Sequence, residues 1–288
     1  MATLREVRRR IRSVENTAKI TKAMELVAAS KMRRAQERAL AGRPYAERLN
    51  WVLADLAETV GQMDPELVHP LLRRREVQAV GLVLITPNRG LCGGLPTALN
   101  RRATALVLDG GVPAKLIAVG RKGRDFFRRS NVPIRAEFSE LGDYPEYTAV
   151  LPIARVVMED YLAGEFDQAF VVYPYFLNTM TQEPRVLPLL PVEPPAEAAT
   201  HAVDYIYEPG REAVLAEILP RYVEMQIYEA VLEGIASEQS ARMVAMRNAT
   251  DAAEEMIDEL KLVRNKARQE QITKELLDIV GGVEGMSA

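Results

Sequence analysis

From Pro220 to Val280 the chain carries no proline after its first residue and one interior glycine, Gly234, before the stop signal Gly281-Gly282. A helix over that range is on the order of 90 Å long, at about 1.5 Å per residue. A compact domain is roughly 30 Å across, so such a helix cannot be buried inside its own chain. A partner must surround it, and identifying that partner is the functional question.

The N-terminus answers with a second long apolar pattern. Leu4, Val7, Ile11, Val14, Ala18, Thr21, Glu25, Ala28, Met32, Ala35 and Ala39 step alternately by three and four, which is a coiled-coil heptad. At the polar Thr21 and Glu25 the pattern predicts a slip onto the neighbouring row of Ile20, Met24 and Val27. Gly42 and Pro44 predict a kink or break. A helical face then resumes from Tyr45 through Leu49, Val52, Leu53, Leu56 and Val60. The C-terminal run has its own heptad stretch of Ala249, Ala253, Met256, Leu260, Val263 and Ala267, so alanines in both seams would let two helices approach closely.

Between these helices the rhythm changes. Ala79 to Ile85 is a continuous apolar run, as a strand buried on both faces requires. Further strands are predicted at Lys115–Val119, Ile134–Phe138, Gln168–Tyr173 and Arg185–Leu190, alternating with helices at Pro96–Leu108, Lys122–Arg129 and Pro152–Leu162. That alternation implies an α/β layer with a mostly parallel sheet. Pro188, Pro191, Pro194 and Pro195 read as a stiff linker to the last helix. The expected fold is a long antiparallel coiled coil of the two terminal helices with an inserted Rossmann-like α/β domain. Its boundaries are a helix over 1–61, the α/β domain over 77–191, a linker over 192–210 and the final helix over 211–288.

Charge narrows the class of partner. Residues 1–50 hold thirteen Lys and Arg against five Glu, a net +8, so the rest carries −11 within a total of −3. A pI near 5.7 argues against a dedicated nucleic-acid binder. The basic set Arg5, Arg8, Arg9, Arg10, Arg12, Lys19, Lys22, Lys31, Arg33 and Arg34 has no aromatic residue beside it before Tyr45, so single-strand stacking is unsupported. A protein with acidic loops fits at least as well as nucleic acid or lipid headgroups. One cysteine and two histidines leave no disulfide and no Cys or His metal site. No apolar leader and no run of 18 apolar residues occurs, so a soluble, intracellular chain is expected.

Candidate chemistry is sparse. Thr86-Pro-Asn-Arg-Gly-Leu-Cys-Gly-Gly94 lies between a strand and a helix, where backbone N–H groups can cradle phosphate. It lacks both the G-x-G-x-x-G spacing and a following Gly-Lys-Ser/Thr, so a tight turn is the simpler reading. Cys92 has no histidine nearby to activate it. Glu254-Glu255 and Asp258-Glu259, with Lys261 and Arg264, suit a solvated helix face better than acid–base work.

The motifs together resemble a known family. Ile11-Arg-Ser-Val-Glu-Asn-Thr-Ala-Lys-Ile-Thr-Lys-Ala-Met24 and Val27-Ala-Ala-Ser-Lys-Met-Arg-Arg-Ala-Gln36 are similar to the gamma subunits of F-type ATP synthases. So are Arg89-Gly-Leu-Cys-Gly-Gly94, Tyr205-Ile-Tyr-Glu-Pro209, Ala236-Ser-Glu-Gln-Ser-Ala-Arg-Met-Val-Ala-Met246 and Asn265-Lys-Ala-Arg-Gln-Glu-Gln-Ile-Thr-Lys-Glu275. The resemblance spans essentially the whole chain. Asn88 stands where the family commonly has Asp or Ser, and Val283-Glu-Gly285 where it usually continues with Ala. The redox insertion of chloroplast members is absent.

What the resemblance implies is a central rotor stalk that couples proton-driven rotation of the c ring to conformational cycling of the catalytic beta subunits. The terminal helices would stand inside three alpha and three beta subunits. The α/β domain would sit on the c ring beside the epsilon subunit. No catalysis, cofactor, metal or nucleic acid is implied, and membrane association would be indirect, at the cytoplasmic face of a bacterial plasma membrane. By motif, Arg268, Gln269 and Thr273 match residues that engage a catch loop of beta. Met24 matches the position facing beta's acidic lever loops, with Lys19, Lys22, Arg33 and Arg34 near. Tyr205, Tyr207 and Glu208 match the segment docking on the c ring. Two other readings stay open: an α/β-fold enzyme dimerising through its terminal helices, and a coiled-coil adaptor for nucleic acid or membrane.

Overall fold

The computed structural model describes residues 3–60, 69–130, 132–193, 207–208 and 210–287. The chain divides into two compact units, one of Ala29–Arg242 and one of the residues up to Ala28 together with those from Met243 onward. Two long helices, α1 (Leu4–Val60) and α5 (Arg211–Ser287), contribute to both.

The larger unit is built on a five-stranded sheet. Its strands are β1 (Val80–Ile85), β2 (Ala114–Val119), β3 (Ile134–Phe138), β4 (Gln168–Phe176) and β5 (Gln182–Leu190). Helices α2 (Leu95–Asp109), α3 (Arg121–Arg129) and α4 (Leu151–Leu162) connect the parallel strands. The spatial order is β3-β2-β1-β4-β5. β1 pairs in parallel with both β2 and β4, whereas β5 returns antiparallel on β4. The apolar run of β1 is explained by two cores. Leu82 and Leu84 pack with Leu95, Leu99, Ala103 and Phe127 on one face. Val83 and Ile85 belong to the other core, with Ile153 and Val157 of α4, Leu53 and Leu56 of α1, and Leu219, Val223 and Ile227 of α5.

Three expectations about this region change. β4 and β5 form one hairpin in which Pro174 faces Pro184 and Pro188 faces Phe170, so Pro188 is strand and not linker. A proline is tolerated there because β5 is an edge strand, and because Pro174 lies past Val172, the last β4 partner of β1. Gly42 and Pro44 do not end α1, which continues to Val60. Leu40, whose carbonyl lacks the Pro44 N–H as partner, is exposed, and burial of Ala46, Leu49, Leu53 and Leu56 holds the helix beyond. Gly42 also meets Met225 of α5 at close range, with 3.3 Å between an added Cβ and Met225 Cε. Finally, Gly281-Gly282 do not stop α5, which runs from Arg211 through Pro220 to Ser287. The linker prolines Pro194 and Pro195 lie outside the described residues.

In the smaller unit α1 and α5 run antiparallel. Thr21 meets Thr250 and, four residues on, Glu25 meets Arg247, three residues back. Val7 and Ile11 close on Ile257, flanked by Val14 and Leu260. The seam does not slip at Thr21 and Glu25. Those two are 9% and 5% exposed, while Ile20 and Val27 are 61% and 54% exposed. On α5 the buried row is Met243, Met246, Thr250, Ala253 and Ile257. Ala253 and Leu260 lie in the seam as the heptad predicts, but Met256 and Val263 face out, because the second position of each heptad falls one residue later, on Thr250 and Ile257.

Candidate functional site

In a doubly wound sheet, ligands bind where strand order reverses, outside the carboxyl ends of the two diverging strands. Here that point lies between β1 and β4. The turn Thr86–Gly94 follows β1, and the helix α5 fills the crevice beside it. An added Cβ on Gly234 would stand 3.1 Å from Ile85 Cγ2 and 3.6 Å from Pro174 Cδ. Ser237 Oγ donates to Pro174 O at 2.8 Å, and Ser240 Oγ donates to Thr179 O at 2.7 Å. Arg242 Nη2 donates to Gly90 O at 3.3 Å. The place where an enzyme of this topology would hold its nucleotide is packed with the chain's own helix.

The turn itself is structural. Thr86 Oγ1 accepts from Gly123 N at 2.9 Å, and Asn88 bridges Arg121 N and Ser139 O at 3.0 Å each. Gly120 has φ 105, and any Cβ there would lie 1.9 Å from Thr86 O, so only glycine permits the two loops to cross. Gly93 takes φ 61, and so does the non-glycine Leu91 at φ 64. Cys92 is buried, and burial pushes its thiol up, away from the thiolate a nucleophile needs. Among the described residues no group of acids, histidines and cysteine could hold a metal. Glu254, Glu255, Asp258 and Glu259 are exposed along α5, with Lys261 Nζ 2.8 Å from Asp258.

The predicted contact residues fall on helix surfaces. In the smaller unit Lys19 and Lys22 are exposed and Met24 half-buried on α1. Arg268, Gln269 and Thr273 are exposed on α5, and Thr273 Oγ1 donates to Gln269 O of its own helix at 2.9 Å. Around them Leu262, Ile272, Leu276, Leu277 and Ile279 are also exposed, with Leu262 at 72%. Such an apolar stretch on a helix is what a protein partner covers.

In the larger unit Arg33 and Arg34 are exposed on α1. The guanidinium of Arg34 stands 5.7 Å from the centre of the Tyr144 ring, and that of Arg38 stands 5.2 Å from it. The same loop sends Asp143 to Lys31 at 2.6 Å and is followed by Tyr147, whose hydroxyl donates to Glu224 of α5 at 2.5 Å. Residues 143–147 thus clasp both long helices, a role not expected from the sequence. Its signal was the acidic and aromatic run Glu140-Leu-Gly-Asp-Tyr-Pro-Glu-Tyr147 opposite a basic helix. Of the proposed ring-facing residues, Tyr205 lies outside the described residues. Tyr207 is half-buried, with its hydroxyl on Asp55 and Arg211 over its ring, and Glu208 is exposed.

The buried polar groups of the coil were also missed. Glu25 accepts from Lys22 Nζ at 2.9 Å and from Arg247 Nε at 3.2 Å. The Lys22 hydrogen bond, and then Arg247, hold its carboxyl below the usual carboxylate range against the opposing effect of burial. On α5, burial instead raises Glu229, Glu233 and Glu238.

Known proteins of similar sequence and fold span essentially the whole chain. Residues 3–286 match the sequence profile of the family described as ATP synthase. The ATP synthase gamma chain of Dehalococcoides mccartyi strain CBDB1 is 54% identical over 287 residues, covering 100% of both chains. Among solved structures, a chain from the central stalk and c-ring of the Tetrahymena thermophila mitochondrial ATP synthase superposes with a TM-score of 0.62. It is 26% identical and covers 80% of this chain and 99% of its own. A chain from the OSCP/F1/c-ring part of the Euglena gracilis enzyme gives a TM-score of 0.68 at 21% identity, covering 98% and 94%. With a crevice closed by its own helix and a full-length match to those relatives, the chain belongs to the ATP synthase gamma family.

Proposed function

We propose that this chain couples proton-driven rotation of a c ring to the conformational cycle of catalytic beta subunits, without making or breaking bonds itself. The carrying observation is the exposed stretch of α5 around Arg268, where apolar and polar side chains alternate with no helix of the described residues against them. Arg268, Gln269 and Thr273 would meet beta's catch loop, and Met24, Lys19, Lys22, Arg33 and Arg34 its acidic lever loops. Three alpha and three beta subunits would surround the helices, with the epsilon subunit and the c ring at the α/β domain through Tyr205, Tyr207 and Glu208. No helix among the described residues is long and apolar enough to cross a membrane. The chain would sit peripherally, at the cytoplasmic face of a bacterial plasma membrane, held there through the c ring.

The test is reconstitution of the full chain with alpha and beta subunits, then with the membrane sector in vesicles. Assembly and ATP-driven proton pumping are expected. A chain that neither co-purifies with alpha and beta nor restores pumping would overturn the proposal, and tight one-to-one binding of ATP or NAD by the chain alone would replace it with the enzyme reading.

A further inference from the structure

One buried carboxylate in the smaller unit organises two cations from two helices. Glu25 lies in the seam of α1 and α5, with its side chain 6% exposed, while Lys22 and Arg247 are 57% and 56% exposed. An ionised group in such a seam is costly, and an apolar residue there commonly gives the more stable coil. What the carboxylate adds is direction: one oxygen takes the Lys22 ammonium and the other the Arg247 guanidinium. Arg247 is held through Nε alone. Its two terminal nitrogens make no hydrogen bond among the described residues, and they form an edge of the guanidinium that can receive a carboxylate bidentately.

We propose that Arg247 is a contact residue for the same acidic partner segment as Lys22, and that Glu25 is the positioning residue that fixes both cations. This rests on the reading of the chain as a stalk against beta's acidic loops. Arg247 and Lys22 stand at one height on the coil because both are bound to one side chain, so one acidic loop can reach the two together. Two cations against one carboxylate leave this cluster with a net +1. No other ion pair joins α1 to α5 in this unit among the described residues. The complementary surface is a pair of carboxylates on a loop.

The test uses the full-length chain reconstituted with alpha and beta subunits, titrated at several salt concentrations, with thermal unfolding of the chain alone measured in parallel. Arg247→Gln is expected to weaken assembly about three- to tenfold and to flatten its salt dependence, because one screened attraction is lost. Its unfolding temperature should stay near wild type, since the guanidinium is more than half exposed. Arg247→Lys should keep the salt slope. Glu25→Leu should weaken assembly while leaving the unfolding temperature equal or higher, a combination that a purely structural role does not produce. Wild-type affinity and salt slope in Arg247→Gln, or wild-type affinity in Glu25→Leu, would overturn the inference. If the wild-type chain itself fails to assemble, the stalk reading falls first and this inference with it.

Discussion

Thr21 Oγ1 and Thr250 Oγ1 lie 2.7 Å apart in the seam between α1 and α5. Each also reaches a backbone oxygen of its own helix, Ala18 O at 3.1 Å and Met246 O at 2.9 Å. One hydroxyl can therefore donate to the other and still leave every polar atom of the pair engaged. Replacing Thr250 with Val removes a partner while Thr21 keeps its backbone acceptor, so a loss of about 1 kcal/mol is expected. Replacing both with Val should be near neutral or stabilising, since nothing polar is left behind. Denaturant unfolding of the two single variants and the double variant gives the coupling directly.

Gly234 is the one glycine inside the C-terminal run, and the structure assigns it a task. It brings α5 against the end of β1 and Pro174 of β4. Gly234→Ala would gain helix propensity of about 1 kcal/mol on an isolated helix. Here the new methyl must displace Ile85 Cγ2 from 3.1 Å, so the gain should be cancelled or reversed. Gly234→Leu cannot be accommodated without moving the helix, and overpacking of about 1–3 kcal/mol or more is expected. Thermal unfolding of both variants separates the small penalty from the large one.

Glu229 carries a pH dependence of definite sign. Burial is the largest cause of its raised proton affinity, and the neighbouring Glu233 adds to it, while Arg43 opposes. The folded state therefore holds this proton at pH values where the unfolded chain has released it. The stability it contributes is complete below the ordinary carboxylate value near 4.5 and is lost as pH rises through the folded-state value above it. Glu229→Gln should be more stable than wild type at neutral pH, by about 1.4 kcal/mol for each tenfold rise in proton affinity it abolishes. The gap should close at mildly acidic pH. Unfolding measured from pH 5 to 8 checks both the sign and the slope.

Lys31 and Asp143 make the clasp testable by exchange. Their side chains are 30% and 50% exposed, so the pair itself contributes about 0.2–1 kcal/mol. Lys31→Asp and Asp143→Lys should each lose that and add a like-charge contact. The double exchange should recover most of it in a double-mutant cycle. Additive losses would mean that the loop is held by Tyr144 and Tyr147 alone.

Much of this was legible in the sequence because it depends on local pattern. The β1 run and the strand–helix alternation located the sheet, and β3 was placed at Ile134–Phe138 without error. The failures share a physical cause. Thr21 and Glu25 looked like a break in the seam because a sequence pattern scores polarity, not partnership, and their partners lie more than two hundred residues away. Pro44 predicted a kink or break and Pro188 a linker, yet each sits in a helix or strand where tertiary burial or an edge position offsets one missing hydrogen bond. The filled crevice was equally invisible, since nothing local says that Gly234 will meet Ile85. The proposed contact surface on α5 was legible only as motif, because exposed residues have no packing pattern to betray them.

Arg268 provides the sharpest test of that surface. It is exposed on α5 and makes no ion pair among the described residues, so the isolated chain has no structural use for its charge. Arg268→Ala should leave unfolding of the chain within about 0.5 kcal/mol of wild type, as for an ordinary surface substitution. In the reconstituted complex a charge-assisted hydrogen bond to beta would be lost, on the order of 1.5–3 kcal/mol if water is excluded there. Assembly or ATP-driven proton pumping should fall accordingly, with Arg268→Lys intermediate because a point charge replaces a planar fork. Met24→Lys should impair coupling differently, by strengthening a contact with acidic loops that must be released on each turn. ATP hydrolysis would then persist while pumping falls. Normal pumping in both Arg268→Ala and Met24→Lys would move the beta contact away from these faces of α1 and α5.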